Sequence, residues 1–268
     1  MLNLTIHRGT NEIGGTCVEL KTDSTRILID FGLPLVSCLG GDFDASILKG
    51  KSIDDLIKLG VLPSIDGLYT GKSQIDGILL SHSHIDHYGL LKYINKGIPV
   101  NMGEATSKII EINNIFLNDV THIKNPKYFN KSQKFVIGDI SVTPYWNDHS
   151  AFDAYSFLIE ADNKRIFYSG DFRSHGRKSG AYQWFMNNIP KDIDYLILEG
   201  TTIGRKSSIT EFNVEANLTE IFKGSVNGCY VMTSTQNIDR LVSIYKACSA
   251  TKKTLIVDIY TANVLNIL

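Results

Sequence analysis

Residues 81–89 read Ser-His-Ser-His-Ile-Asp-His-Tyr-Gly, and His82, His84, Asp86 and His87 fall within six positions of one another. Imidazole nitrogen and carboxylate oxygen are the usual ligands of Zn²⁺ and related ions in water-activating sites. Close spacing on a tight turn lets several ligands converge with little loss of entropy. Two histidines at i and i+2 can feed one ion, and the Asp-His pair that follows, at the start of a helix, can feed a second. The plain alternative is a polar loop with chance histidines. With 7 His in 268 residues, three at these offsets arise by chance in roughly one chain in two hundred, before Asp86 is required. The metal reading is therefore preferred.

Working outward, Ile75–Ser81 is an apolar run too short for a helix and reads as a buried strand that delivers the motif. Gly89–Asn95 reads as a helix ended by Gly97 and Pro99. On the amino-terminal side, Leu2–Arg8 alternates like a strand, Gly9–Gly15 (GTNEIGG) is a glycine-rich turn, and Thr16–Lys21 and Thr25–Asp30 form a hairpin. Ser52–Gly60 carries helix start and stop signals, with Ser52 as N-cap. Further on, Glu104–Asp119 has helical periodicity, and strands are expected around Gly138-Asp139. A second hairpin is expected from Tyr155–Glu160 and Arg165–Ser169, then a short strand, Asp194–Leu198, ending at Glu199. Asp30, His149 and Asp171 each sit just past an apolar strand-like run. Strand ends are where a rigid scaffold presents ligands to a shared cleft. Taken singly, each is better read as a turn residue. It is their order relative to the histidine cluster that makes them site candidates.

After residue 200 the texture changes. Gly228–Ser234 and Thr254–Ile259 read as strands, and Ile238–Ser249 and Thr261–Leu268 as helices, the order of a small parallel α/β unit. The chain then stops on the apolar run Val264–Leu268, so a chain cut short is expected, with exposed edges that favour a homo-oligomer. Lys+Arg total 27 and Asp+Glu 28, a net charge of -1, so no global positive field advertises a polyanion, although a local basic groove is compatible with that total. Of Cys17, Cys38, Cys229 and Cys248, none is in a C-x-x-C pair, and Cys17 and Cys229 lie in apolar runs where a buried free thiol is the default. A reducing, cytoplasmic setting is expected, with no signal peptide and no apolar run of the ~20 residues that span a bilayer.

The pattern H-x-H-x-D-H at His82–His87, preceded by a strand-ending Asp30 and followed by His149 and Asp171, resembles the metallo-β-lactamase superfamily over residues 1 to about 200. That resemblance implies an α/β (α+β) fold, a four-layer αββα sandwich with two divalent metals at one edge, most simply zinc, with Mn or Fe as alternatives. It implies that His82, His84 and His149 hold the first metal and Asp86, His87 and Asp171 the second, with Asp171 bridging and Asp30 orienting ligands by hydrogen bonding. The loop Gly9–Gly15, the run Gly170–Gly176 (GDFRSHG) and Leu198–Gly204 (LEGTTIG) resemble ribonuclease J-like proteins and the opening of their β-CASP region, with Glu199 as its first acidic residue. Two units follow from this, 1–200 as the metallo-β-lactamase domain and 201–268 as a partial β-CASP-like α/β domain. In the family, further histidines, including the last ligand of the second metal, come after the β-CASP region; here only His175 follows Asp171. His7 and His122 match no motif. The expected function is a two-metal hydrolase with Asp86, Asp30 and Glu199 in catalytic roles, acting on a nucleic acid, RNA or DNA, with no membrane partner. The alternatives are a hydrolase of a small ester, thioester or lactone, and an inactive metal-binding fragment. Tyr69, Lys72, Arg173 and Arg177 are weighed as substrate contacts against solvated loop or ordinary ion pairing.

Overall fold

The structure is a computed structural model and describes residues 1–37, 40–117, 120–204 and 209–268. Cys38 and the Asp119 end of the expected third helix lie outside the described residues.

Two sheets form the centre. The first runs β1 (Asn3–Arg8), β3 (Cys17–Lys21), β4 (Arg26–Ile29), β6 (Gly77–Leu79), β7 (Val100–Met102) and β8 (Pro126–Tyr128), in that spatial order. Its β1-β3-β4 part is antiparallel and its β4-β6-β7-β8 part parallel. The second runs β13 (Tyr195–Ile197), β12 (Lys164–Tyr168), β11 (Tyr155–Ala161), β10 (Ile140–Trp146) and β9 (Phe135–Ile137), antiparallel except for the parallel β12-β13 pair. A small ladder joins β2 (Ile13–Gly14) to β5 (Pro34–Val36).

Alternation of side chains along a strand sorts residues onto two faces. On β4, Ile27 and Ile29 point inward to meet Leu79, Val142, Phe157, Ile159, Ile166 and Tyr168 between the sheets. Leu28, of opposite parity, joins the outer core under the helices α1 (Ile53–Lys58) and α3 (Glu104–Phe116). On the second sheet Leu158 and Phe167 take the outward parity and meet Phe185 of α4 (Ser179–Asn188). Helices, sheet, sheet and helix are the four layers expected from the sequence.

Local signals also hold. Ser52 caps α1 in a full capping box with Asp55, and Gly60 follows at φ +69°. The hairpin β11-β12 turns on Asp162 and Asn163, both at positive φ, as the two-residue loop of a twisted hairpin requires. The expected helix Gly89–Asn95 is not formed. A four-residue helix, α2 (Ile85–Tyr88), carries the motif, and only a 3-10 turn, Leu91–Tyr93, follows. Gly89 and Leu90 turn the chain back, with Leu90 N–H donating to Phe31 O at 3.0 Å.

Beyond residue 200 the structure corrects the sequence reading. Helices α5 (Glu211–Gly224), α6 (Ile238–Ala250) and α7 (Ile259–Asn266) are present, and the first had not been expected. The expected strands at Gly228–Ser234 and Thr254–Ile259 form no ladder. A strand needs a neighbour to take its N–H and C=O groups, and here Tyr230, Met232 and Ile256 face solvent. Cys229 is exposed rather than buried, while Cys17 and Cys248 are buried, all three free. Helices α5 and α6 share a small core of Phe222, Ile244, Ala247 and Cys248. No helix among the described residues is long and apolar enough to cross a membrane.

Candidate metal centre

The first sheet delivers two chain segments to one edge. Asp30 follows β4 at φ +56°, and its N–H donates to Leu79 O at 2.8 Å, so the ends of β4 and β6 are locked side by side. The His82–His87 turn leaves β6 there. His149 follows β10 and Asp171 follows β12, and Tyr155 N–H donates to Ser81 O at 3.0 Å, tying the second sheet to the same edge.

The backbone of the turn is clamped from below. Phe31 N–H donates to His87 O at 2.7 Å, Leu33 N–H to Ile85 O at 3.0 Å and Gly15 N–H to Asp86 O at 3.1 Å. The approach is so close that a Cβ on Gly32 would lie 1.5 Å from Asp86 O. The Asp-Phe-Gly32 run and the glycine-rich loop therefore serve as the seat of the ligand turn.

Two groups of potential ligand atoms form, His82, His84 and His149 in one and His82, His87 and Asp171 in the other, each within 4.8 Å. His84 Nδ1 lies 3.1 Å from His149 Nε2. Asp171 reaches both groups, with Oδ1 3.4 Å from His87 Nε2 and Oδ2 3.9 Å from His149 Nε2. Asp86 is outside both groups but adjacent, Oδ2 standing 3.7 Å from His87 Nε2. His149 and Asp171, distant in sequence, are thus brought to the histidine turn.

Electrostatics fit a cation here. Burial, followed by the neighbouring histidines, pushes His82 and His149 well below the ordinary imidazole value. Burial lowers His84 to about 4. All three are neutral at physiological pH and offer lone pairs. His82 Nε2 is buried with no hydrogen-bond partner among the described residues, a cost that a bound cation would relieve. His87 differs. Burial opposes its charge, but Asp30 and Asp171 overcome that and raise it well above the ordinary value. Burial pushes Asp171 up, yet His87 and the other histidines hold it down at about 2.

A buried hydrogen-bond cluster orients these ligands. Asp30, fully buried, accepts from Ser81 N–H (2.8 Å), Ser81 Oγ (2.8 Å), Tyr168 Oη (2.6 Å) and His87 Nδ1 (2.7 Å). That contact fixes the His87 proton on Nδ1 and leaves Nε2 facing Asp171. Ser81 Oγ is also 3.0 Å from His82 Nδ1. Glu199 accepts from Phe172 N–H at 2.9 Å, and its own N–H donates to Ser169 Oγ at 3.2 Å, so it braces the loop that carries Asp171.

Sequence reasoning missed Ser81 and Tyr168. Ser81 abuts the motif, and Tyr168 has the inward parity on β12, but only the packing of one sheet on the other makes Tyr168 a partner of Asp30. Asp148 was also missed. Fully buried, it accepts from Arg173 Nε (3.3 Å) and Gly176 N–H (3.2 Å). Arg173 also donates to Asp239 Oδ2 at 2.5 Å, and Arg177 pairs with Glu215 and reaches Ser243 Oγ at 3.2 Å. Both arginines are engaged in ion pairs rather than open to phosphate. Tyr69 donates to Pro63 O at 2.5 Å and is part-buried, while Lys72 is exposed. His7 meets Glu19 at 2.8 Å on β1, and His122 and His175 are exposed.

A four-layer sandwich with this cluster at its edge is the metallo-β-lactamase arrangement, and a family model for the beta-lactamase superfamily domain matches residues 63–254; the chain belongs to that superfamily. Among curated relatives it is 27% identical over 244 residues to the "Probable RNase MJ4" of Methanocaldococcus jannaschii, covering 80% of this chain and 50% of the relative. It is 25% identical over 252 residues to the ribonuclease J of Helicobacter pylori, covering 87% of this chain and 33% of the relative. The chain thus spans half the length of these relatives or less. A solved structure of a protein of unknown function from Enterococcus faecalis V583 superposes with a TM-score of 0.83 at 22% identity, over 98% of this chain and 67% of that one. It has the same fold. The superfamily and its fold imply a hydrolase that binds divalent metal.

Proposed function

We propose that this chain carries the two-metal centre of a phosphodiesterase acting on RNA or DNA. The observation that carries the reading is the pair of ligand groups sharing His82, with Asp171 reaching both. The relatives named as ribonucleases favour nucleic acid as the substrate class. His82, His84 and His149 would hold one cation; His87, Asp171 and Asp86 would hold the other. An imidazole-rich set favours zinc, with Mn²⁺ and Fe²⁺ next. When bound, the two cations would supply Lewis acidity toward a phosphate oxygen and an activated water.

The chain's own groups do the rest. Asp30 holds His87 by Nδ1 and so keeps Nε2 turned toward Asp171, where it would give up its proton to a bound cation. Asp86, at the rim and raised by burial, is suited to orient water and accept a proton. Glu199 acts by positioning, through the Phe172 amide. Residues 1–200 serve as the catalytic unit and 201–268, with a core of their own, as part of a β-CASP-like unit over the cleft. The free thiols fit a cytoplasmic setting.

The test is direct. Chain loaded with Zn²⁺ or Mn²⁺ should bind about two ions by elemental analysis and cleave a labelled single-stranded RNA or DNA, activity vanishing with chelator and in D171N. Turnover of a thioester or lactone with no phosphodiester cleavage would overturn the substrate class and favour the small-molecule alternative. One ion or none per chain would favour the inactive fragment.

A further inference from the structure

Trp146 and Phe152 flank the candidate ligand His149 in the chain, Trp146 at the end of β10 and Phe152 in the following loop. Lys178 Nζ stands 5.5 Å from the Trp146 ring centroid and 5.8 Å from that of Phe152. Lys131 Nζ, from the turn before β9, stands 5.4 Å from the same indole. Neither ammonium has an ion-pair partner among the described residues. Lys108, Lys134, Lys164 and Lys223 each sit 2.8 Å from a carboxylate. Two lysines thus share one ring, three residues before His149 in the chain.

The segment bearing Lys178 is also fixed in place. Arg173 is pinned to Asp148 and Asp239, and Arg177 N–H donates to Asp239 Oδ2 at 2.8 Å. Lys178 is half-buried; burial disfavours its charge, and Asp239, Asp148 and Asp153 offset part of that. An incoming anion would favour the charged form further. Lysine stems covering a ring are a common surface arrangement; here two ammonium groups, from segments far apart in the chain, meet on one indole three residues before a candidate ligand.

We propose that Lys131 and Lys178, gathered on Trp146 beside His149, form an anchoring subsite for a single-stranded nucleic acid, a backbone phosphate on the ammonium groups and the adjoining base against the indole. Phosphate contacts fix the register of the strand and carry no sequence information, and an aromatic face accepts any base. The subsite therefore holds a strand in line with the metal centre without selecting its sequence. The inference rests on the phosphodiesterase reading above.

The experiment measures binding of a short 2′-O-methyl RNA, which resists cleavage, to the full chain with zinc and with chelator. In a W184F background the single remaining tryptophan is Trp146, so quenching of its fluorescence reports stacking. Expected results are quenching on binding, about tenfold weaker affinity in K131Q/K178Q, and a salt slope of log K reduced by about 0.7 for each lysine removed. W146A should weaken binding about tenfold, and K131R/K178R should restore the slope. A DNA strand of the same sequence, run in parallel, shows whether the sugar matters. No binding, no quenching, or an unchanged slope in K131Q/K178Q would overturn the subsite. If K131Q/K178Q fails to fold, the wild-type quenching and the arginine pair decide. Hydrolysis of bis(4-nitrophenyl) phosphate by the wild-type chain tests the centre separately: its absence with strand binding intact overturns the phosphodiesterase reading and leaves the anchoring site standing.

Discussion

The edge of the sandwich and the stretch after residue 225 begin from similar sequence and end in different structure. Ile75–Ser81 and Thr254–Ile259 are both short, largely apolar runs of strand length. The first becomes a strand with neighbours on both sides, its Ile78 and Leu79 fully buried. The second has no ladder, and Ile256 is 87% exposed. The difference teaches that β-propensity describes fitness for a place in a sheet, and the place must be supplied by other segments. It also divides the labour. The sandwich is rigid enough to hold ligands at their separations, while α5 and α6 are fastened to it chiefly by charge, through Arg173, Arg177, Asp239 and Glu215.

The comparison breaks most sharply at two glycines. Gly32→Ala drives a Cβ into the Asp86 carbonyl, and since that neighbour is backbone it cannot step aside. We expect a loss of about 3 kcal/mol or more, or failure to fold. Gly228→Ala, where an added Cβ meets nothing within 4 Å, should change stability by less than about 0.5 kcal/mol. Urea denaturation of the two variants checks this. Equal effects would deny the contrast.

Next is the charge that joins the regions. Arg173→Met leaves Asp148 and Asp239 buried without their partner, costing about 3 kcal/mol. Hydrogen exchange should show the loss first in α5 and α6, before the strands of the sandwich.

Asp30→Asn keeps the shape but removes the charge that holds His87. Metal affinity should fall about 10- to 100-fold, measured by competition with a chromophoric chelator, with the helices after residue 210 unaffected.

The smallest effect is in pH. His84 is depressed to about 4, as His82 and His149 are depressed. The chain without metal therefore keeps their contribution above pH 6.5 and loses it as pH falls from 6.5 toward about 4. His87, raised by Asp30 and Asp171, has the opposite sign. Its contribution is complete below pH 6.5 and fades as pH rises through its elevated value. Melting temperatures in chelator should thus decline on both sides of neutrality, and zinc should remove the alkaline arm because the cation replaces the His87 proton. A monotonic profile in chelator would contradict this assignment.

Much of the site was legible from spacing. His82, His84, Asp86 and His87 share a turn, so their proximity is enforced by covalent geometry. Strand parity and turn signals placed Asp30, His149 and Asp171 at strand ends, because alternation and chain reversal are local properties. The helix expected over Gly89–Asn95 failed because the backbone there is drawn to Phe31, a contact absent from the local sequence. Helix α5 was not anticipated, although Thr210 and Asn213 form its capping box.

The sequence by itself determined the ligand types, their order along the chain and the period of the strands, since each depends on neighbours a few residues away. Tertiary structure alone decided that Tyr168 reaches Asp30, that Asp171 faces both histidine groups, that Arg173 is spent on Asp148 and Asp239, and that two lysines share Trp146. These are contacts between segments many residues apart. Their energies depend on burial and distance, which exist only once the two sheets have closed on each other.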